Sequence, residues 1–169
     1  MRGRALCQPD IDVYGKYRPL MINKQLQFNH PLGMNLYNLN NSKNNIKDAQ
    51  IAIIFEGEKS CLKYQSLFGI ENDISVACCG SNISAYQIQL LLDQGVKEIV
   101  IGLDRQFQQI GDAEFKHLTN NLTKINDRYK NYVNISIIFD KKMITGYKDS
   151  PIDDGKNKFL QLFKERIKL

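Results

Sequence analysis

Residues Ile51–Ser60 read IAIIFEGEKS. Five mostly β-branched or aromatic apolar residues run straight into Glu56-Gly57-Glu58-Lys59-Ser60, where a helical pattern begins. A short unbroken apolar run that stops at a glycine turn predicts a strand buried on both faces, as in a parallel sheet. Such a strand carries whatever follows it to the carboxyl-end rim of the sheet, where open α/β folds bind ligands. Here the residue that follows is a carboxylate, Glu56.

Downstream the same unit repeats. A helix is expected at about 59–68, with Cys61, Tyr64 and Phe68 near one face and Gly69 as its stop. Ile74–Cys78 is expected as the second strand, Gly80-Ser81-Asn82 as a turn, and Ser84-Ala85-Tyr86-Gln87 as a capping box opening a helix that ends at Gly95. Glu98–Leu103 predicts a third strand ending on Asp104. A longer helix over roughly 110–130 places Phe115, Leu118, Leu122 and Ile125 on one face. Val133–Phe139 predicts a fourth strand ending on Asp140. A loop with Gly146 and Pro151 then leads to a closing helix from about 155, carrying Phe159, Leu162, Phe163 and Ile167. This alternation predicts an α/β fold with a four-stranded parallel sheet flanked by helices, over residues 49–169.

Upstream the pattern differs. Residues 1–48 are dense in turn formers: Pro9-Asp10, Gly15, Pro19, Pro31, Gly33 and the Asn-rich run Asn35–Asn45. Between them lie short segments such as Tyr17–Ile22, Leu26–Phe28 and Met34–Tyr37. That spacing predicts a small β-rich and loop-rich part without helices, with Asn38–Asp48 as a linker.

At 169 residues the chain is long enough for one well-buried core, or for one domain and part of a second. The net charge of +5 is a mild basic excess that suits a polyanionic partner but does not by itself identify one. Cys7, Cys61, Cys78 and Cys79 form no C-x-x-C pair and His30 and His117 lie far from them, which argues against a zinc site. Buried free thiols in a reducing compartment, no signal peptide and no apolar run near a membrane span together predict a cytoplasmic protein.

Chemistry concentrates at one sheet edge. Glu56 and Asp104 end two strands, Gly80-Ser81 follows another, and the 148–154 loop follows the fourth. Either acid alone could equally be a helix cap or a solvated loop residue; together they make a rim of like charges that requires protonation or a cation. Oxygen ligands without nearby His or Cys point to Mg²⁺ or Mn²⁺, and a hard cation beside lysines suits phosphate chemistry.

These residues resemble a known family. Glu56-Gly57-Glu58-Lys59-Ser60, then Gly80-Ser81-Asn82-Ile83-Ser84, then Leu103-Asp104, look like the successive motifs of a Toprim domain, a Rossmann-like α/β unit. The run Lys148-Asp149-Ser150-Pro151-Ile152-Asp153, followed by Gly155-Lys156, resembles the end of the Toprim domain in DnaG-type bacterial and phage DNA primases. Gly3-Arg4, Gly15-Lys16-Tyr17, and His30-Pro31-Leu32-Gly33 leading to Leu36-Tyr37 are similar to the stretch just before it, so residues 1–48 would be the remnant of the polymerase core's N-terminal subdomain.

The resemblance implies an RNA primer-synthesis core working on single-stranded DNA and ribonucleotides, with a replicative helicase as a further partner. Glu56 would act as metal ligand or acid/base. Asp104 would be the first acid of a DxD-type motif holding Mg²⁺, and Asp149 and Asp153 would line the metal site. Lys59, Lys148, Lys16, Arg105, Gly80 and Ser81 would meet nucleotide or template, with Arg4 and Arg18 as further candidates for a basic template track. The second DxD acid is replaced by Gln106, which removes one anionic ligand; Asp112 or Asp140 would be the compensating candidates. DnaG-type primases also carry a zinc ribbon and a basic subdomain before the part matched, so a piece of a longer primase is implied. The competing readings are a Toprim nuclease, which needs only the metal site, and a non-catalytic Toprim module that binds nucleic acid or a replication partner.

Overall fold

The computed structural model describes residues 2–15, 17–22, 25–27 and 31–169, and the side chains of 5–15 and 31–169. The chain divides into two compact units, Met1–Leu32 and Gly33–Leu169. In the first, strands β1 (Arg2–Arg4), β2 (Tyr17–Ile22) and β3 (Gln25–Gln27) form an antiparallel sheet in that order. Between β1 and β2 runs a helix that the turn-rich composition does not suggest, α1 (Gln8–Tyr14). Its start follows from Pro9 in the first turn, where the missing N–H costs nothing, and Asp10 beside the positive helix end. Lys16 and His30 lie outside the described residues, as do the side chains of Arg4 and Arg18.

The second unit is the expected α/β sheet. Its strands are β4 (Ile51–Phe55), β5 (Ser75–Ala77), β6 (Glu98–Gly102), β7 (Asn134–Ile137) and β8 (Ile167–Lys168), in the order β5-β4-β6-β7-β8. The first four pair in parallel. β8 is antiparallel to β7, Ile137 opposite Ile167, so Ile167 is an edge-strand residue and not part of the closing helix. The helix gives way because Arg166 turns back, donating to both Glu98 carboxylate oxygens at 2.8 and 3.0 Å and lying over the Phe163 ring.

The apolar runs are buried on both faces. Ala52, Ile54, Ile99 and Ile101 join the core beneath α2 (Leu39–Ala49), α4 (Ala85–Leu92) and α5 (Ala113–Tyr129). Ile53, Phe55 and Val100 face α3 (Glu58–Phe68) and α6 (Lys156–Lys164). This alternation along a continuous apolar strand is what a sheet covered by helices on both sides demands.

Asn38–Asp48, expected as a linker, is instead helix α2, and it belongs to the second unit. Leu39, Ser42 and Ile46 recur on one face, with Ser42 and Ile46 buried. Its approach is tied to the outer edge of β5: Tyr37 and Ala77 exchange backbone hydrogen bonds, and Asn38 Nδ2 donates to Asp73 Oδ2 at 2.8 Å and to the Ser75 carbonyl.

The capping box at α4 forms as expected. Gln87 N–H donates to Ser84 Oγ at 3.0 Å and Ser84 N–H to Gln87 Oε1 at 2.9 Å. The buried Gln87 amide also donates to the Asn35 and Cys78 carbonyls, joining α4, β5 and the segment before α2. Ser84→Ala is expected to cost about 1 kcal/mol, lowering the thermal midpoint by about 2–6 °C in a circular-dichroism melt; an unchanged midpoint would show that the cap contributes nothing.

Candidate active site

The first strand of the sheet, β4, lies inside it. The chain passes from β4 through α3 to β5 on one side, then through α4 to β6 on the other. The order therefore reverses between β4 and β6, and a crevice opens at their carboxyl ends because the following helices leave to opposite faces. Phe55 pairs with Gly102, so the residues just beyond them, Glu56 and the Leu103-Asp104 pair, are delivered to the two lips of that crevice.

Glu56 is half-buried and accepts from Gln106 Nε2 at 2.9 Å. Burial raises its carboxyl above the usual range, opposed by that hydrogen bond and by one from the Asp104 main chain. Asp104 is more strongly affected. Its carboxyl is pushed up to about 7, by burial first and then by the charges of Glu56 and Asp153, with Lys59 pulling the other way and Asp149 adding a further push. Asp104 Oδ1 is buried without a hydrogen-bond partner. A buried, unpaired acceptor among like charges is an unfavourable arrangement that a cation relieves.

The loop after β7 supplies the third acid. Asp153 Oδ2 accepts from the Ser150 N–H at 3.1 Å, and its Oδ1 stands 3.1 Å from Lys59 Nζ and 3.6 Å from Lys63 Nζ. Lys63 also donates to the Asp153 carbonyl. Burial would raise the Asp153 carboxyl, but Lys59 and the Ser150 N–H outweigh it and hold the group below the usual range. Asp153 is thus already neutralised by two lysines one helical turn apart on α3.

The remaining expected residues fall into two groups. Gly80 is exposed at the rim and donates its N–H to the Glu56 carbonyl at 3.2 Å, while exposed Ser81 lines a cleft that includes Asp104 and Gln106. Asp149 contributes charge at Asp104, with its carboxylate folded over Gly146, where a Cβ would collide with it. Lys148 is exposed, left-handed at φ 64°, and lies over the Tyr147 ring. The Arg105 guanidinium donates to the Phe107 and Thr145 carbonyls at 2.9 and 3.0 Å. Its backbone N–H donates to the Asp149 carbonyl and its own carbonyl accepts from Lys148, which joins the two loops into one rim.

Both compensating candidates are engaged by their own loops. Asp112 caps α5, accepting from the Phe115 N–H at 2.7 Å and from Gln108 and Gln109. Asp140 organises its own loop by accepting from the Ile144 and Thr145 N–H groups and the Thr145 hydroxyl.

Among the described residues no three His, Cys, Asp or Glu side chains converge as a metal cage. What remains, two carboxylates and one unpaired oxygen, fits Mg²⁺, which is commonly held by one or two protein carboxylates with waters and substrate phosphates completing the octahedron. The cleft beside it encloses about 450 Å³ between Ser81-Asn82-Ile83 and the face of α5 bearing His117, Leu118, Asn121 and Ile125. The sequence reading missed this cleft, Lys63 and the role of Gln106; the spacing of Lys59 and Lys63, one turn apart, was the available signal for the lysine pair.

The mostly parallel five-stranded sheet flanked by helices is the Toprim-type fold found in DnaG-type primase catalytic cores, and the second unit has that fold. The Aquifex aeolicus primase (zinc binding and RNA polymerase domains) matches at TM-score 0.64 and 23% identity, over 99% of this chain and 37% of that one. A DNA primase domain from Pseudomonas aeruginosa matches at 0.67 and 17%, over 99% and 47%. The DnaG primase catalytic domain bound to single-stranded DNA matches at 0.61 and 17%, again over 99% and 47%. In sequence, the SPbeta prophage-derived uncharacterized protein YorJ of Bacillus subtilis (strain 168) is 32% identical over 176 residues, spanning 100% of this chain and 46% of that protein. The chain therefore spans about half the length, or less, of the relatives it matches. No protein-family model matches it. Among the described residues no helix is long and apolar enough to cross a membrane.

Proposed function

We propose that this chain supplies the cation-binding half of a primase-type nucleotidyl-transfer centre that acts within a longer protein, extending ribonucleotides on single-stranded DNA. The observation that carries the reading is the pair Glu56 and Asp104 facing one another across the switch point, with Asp104 Oδ1 unpaired. The fold shared with primase cores, one of them bound to single-stranded DNA, supports the choice of substrate.

Mg²⁺ or Mn²⁺ held by Glu56 and Asp104 would polarise a phosphoryl oxygen and offset the charge that develops during transfer. The chain's own groups supply the rest. Lys59, largely exposed at the start of α3, is free at its outer side to meet a triphosphate while its ammonium stays beside Asp153. Glu56 is held by Gln106 in one orientation, facing the Asp104 side of the crevice. The Arg105 clamp keeps the two acidic loops in register.

The test is titration of a fluorescent ribonucleoside triphosphate with and without Mn²⁺. The expected result is saturable binding that EDTA abolishes. A second reading, a module that binds nucleic acid without catalysis, draws on the absence of a three-acid cluster among the described residues. It is favoured if single-stranded DNA binds equally well in EDTA and no nucleotide site saturates. Cleavage of labelled RNA or DNA with Mn²⁺ would instead indicate a nuclease.

A further inference from the structure

We infer that Gln106 is a positioning residue that limits this centre to a single divalent cation. The inference rests on the reading of the site as a cation-dependent centre, and the experiment below separates the two.

Asp104 and Gln106 stand on the same short loop after β6 and line the same cleft. An ionised carboxylate only accepts hydrogen bonds, so the Gln106 amide must present its NH₂ to Glu56, and Nε2 lies 2.9 Å from Oε2. That oxygen is thereby engaged, and the positive end of the amide dipole occupies the approach along which another cation would reach it. Glu56 accepts a further hydrogen bond from the Asp104 main chain, and Asp104 offers the unpaired Oδ1.

Charge counting gives the same answer. Lys59 and Lys63 neutralise Asp153 at 3.1 and 3.6 Å, so it contributes little net negative charge. Asp149 adds its charge at Asp104 and the second lysine offsets it, so the net protein charge at the rim is two negative charges, which one divalent cation balances. Two-metal sites hold their ions about 3.5–4 Å apart, and a second ion here would add two positive charges to a half-buried crevice with no further anion to meet them. The backbone that carries the amide is held in place. Its neighbour Arg105 is pinned through both the guanidinium and the main chain, to Thr145, Phe107, Lys148 and Asp149. An acid at position 106 would reverse both features, replacing a donor with an acceptor and supplying the missing charge.

The experiment is Mn²⁺ titration of the full chain by calorimetry, with electron paramagnetic resonance to detect coupled ion pairs, on the wild type, Gln106→Asp, Gln106→Glu and Gln106→Ala. The expected stoichiometry is one for the wild type, one but with several-fold weaker affinity for Gln106→Ala, which lacks both the donor that orients Glu56 and the extra acid, and two with a spin-coupled signal for Gln106→Asp or Gln106→Glu. Circular dichroism melts identify which acidic variant is folded; the longer Gln106→Glu keeps the side-chain length if Gln106→Asp fails. One ion in every variant would overturn the role of Gln106 while leaving the cation centre standing. Two ions in the wild type would also overturn it. No saturable ion in any variant would remove the cation reading and this inference together.

Discussion

Glu56→Gln is expected to abolish Mn²⁺-dependent nucleotide binding and to slow any nucleotidyl transfer by roughly 10²–10³-fold, the usual loss when one preorganised electrostatic group is removed. The substitution is unusually clean at this position. A glutamine at 56 keeps the size of the side chain, and its carbonyl can still accept from Gln106 Nε2, which now bonds Glu56 at 2.9 Å. What disappears is the charge on one lip of the crevice. With that charge gone, the Asp104 carboxyl loses its largest like-charge neighbour and should titrate lower, although burial keeps it raised. Titrating a fluorescent nucleotide with and without Mn²⁺ measures the first effect directly. Binding that is unchanged in both conditions would count decisively against Glu56 as a ligand.

Asp104→Asn is expected to separate the site from stability in the opposite direction. The fold holds the Asp104 carboxyl protonated up to about 7, whereas an unfolded aspartate titrates near 3.8. Between those values the native state binds a proton the unfolded state has lost, so the contribution of Asp104 is fully present below 3.8 and disappears as pH rises through 7. The full gap corresponds to a few kcal/mol. Discounted for the solvent that reaches a half-buried group, we expect the metal-free Asn variant to exceed wild type by about 1–2 kcal/mol at pH 8. At pH 4 the difference should nearly vanish. Asp140 and Asp153, both held low, lose their contributions below the ordinary carboxylate range in both proteins, and so cancel in the comparison.

Urea unfolding in EDTA at the two pH values measures this, and equal stabilities at pH 8 would refute it. Adding Mn²⁺ should reverse the order, stabilising wild type but not the variant. Because the ligand must shed its proton, wild-type affinity should fall by up to about tenfold per pH unit below 7.

Much of the second unit was legible because its signals are local. IAIIF and EIVIG are short apolar runs of a kind that only a doubly covered strand tolerates, and Ser84 with Gln87 is a capping box in any context. The misreadings have equally specific causes. Asn and Lys in α2 mask a sparse buried face of Leu39, Ser42 and Ile46, whose partners come from β5 and the core and are far away in sequence. Ile167 continues a helical spacing but is drawn into β8 once Arg166 turns back to Glu98, which lies on another strand. Tertiary contacts overrode local propensity in both places.

The amino-acid order by itself determined that two buried strands end in carboxylates, since strand burial and turn chemistry are properties of short segments. Which acids meet was decided only by the tertiary structure. Strand order places Glu56 opposite Asp104, the loop after β7 brings Asp153 to Lys59 and Lys63, and Asp112 and Asp140 are spent on capping their own backbones. The same packing turns Gln106 from a missing acid into a hydrogen-bond donor on Glu56. A carboxylate's role depends on which charges and donors lie within a few ångströms, and those neighbours come from segments that only folding brings together.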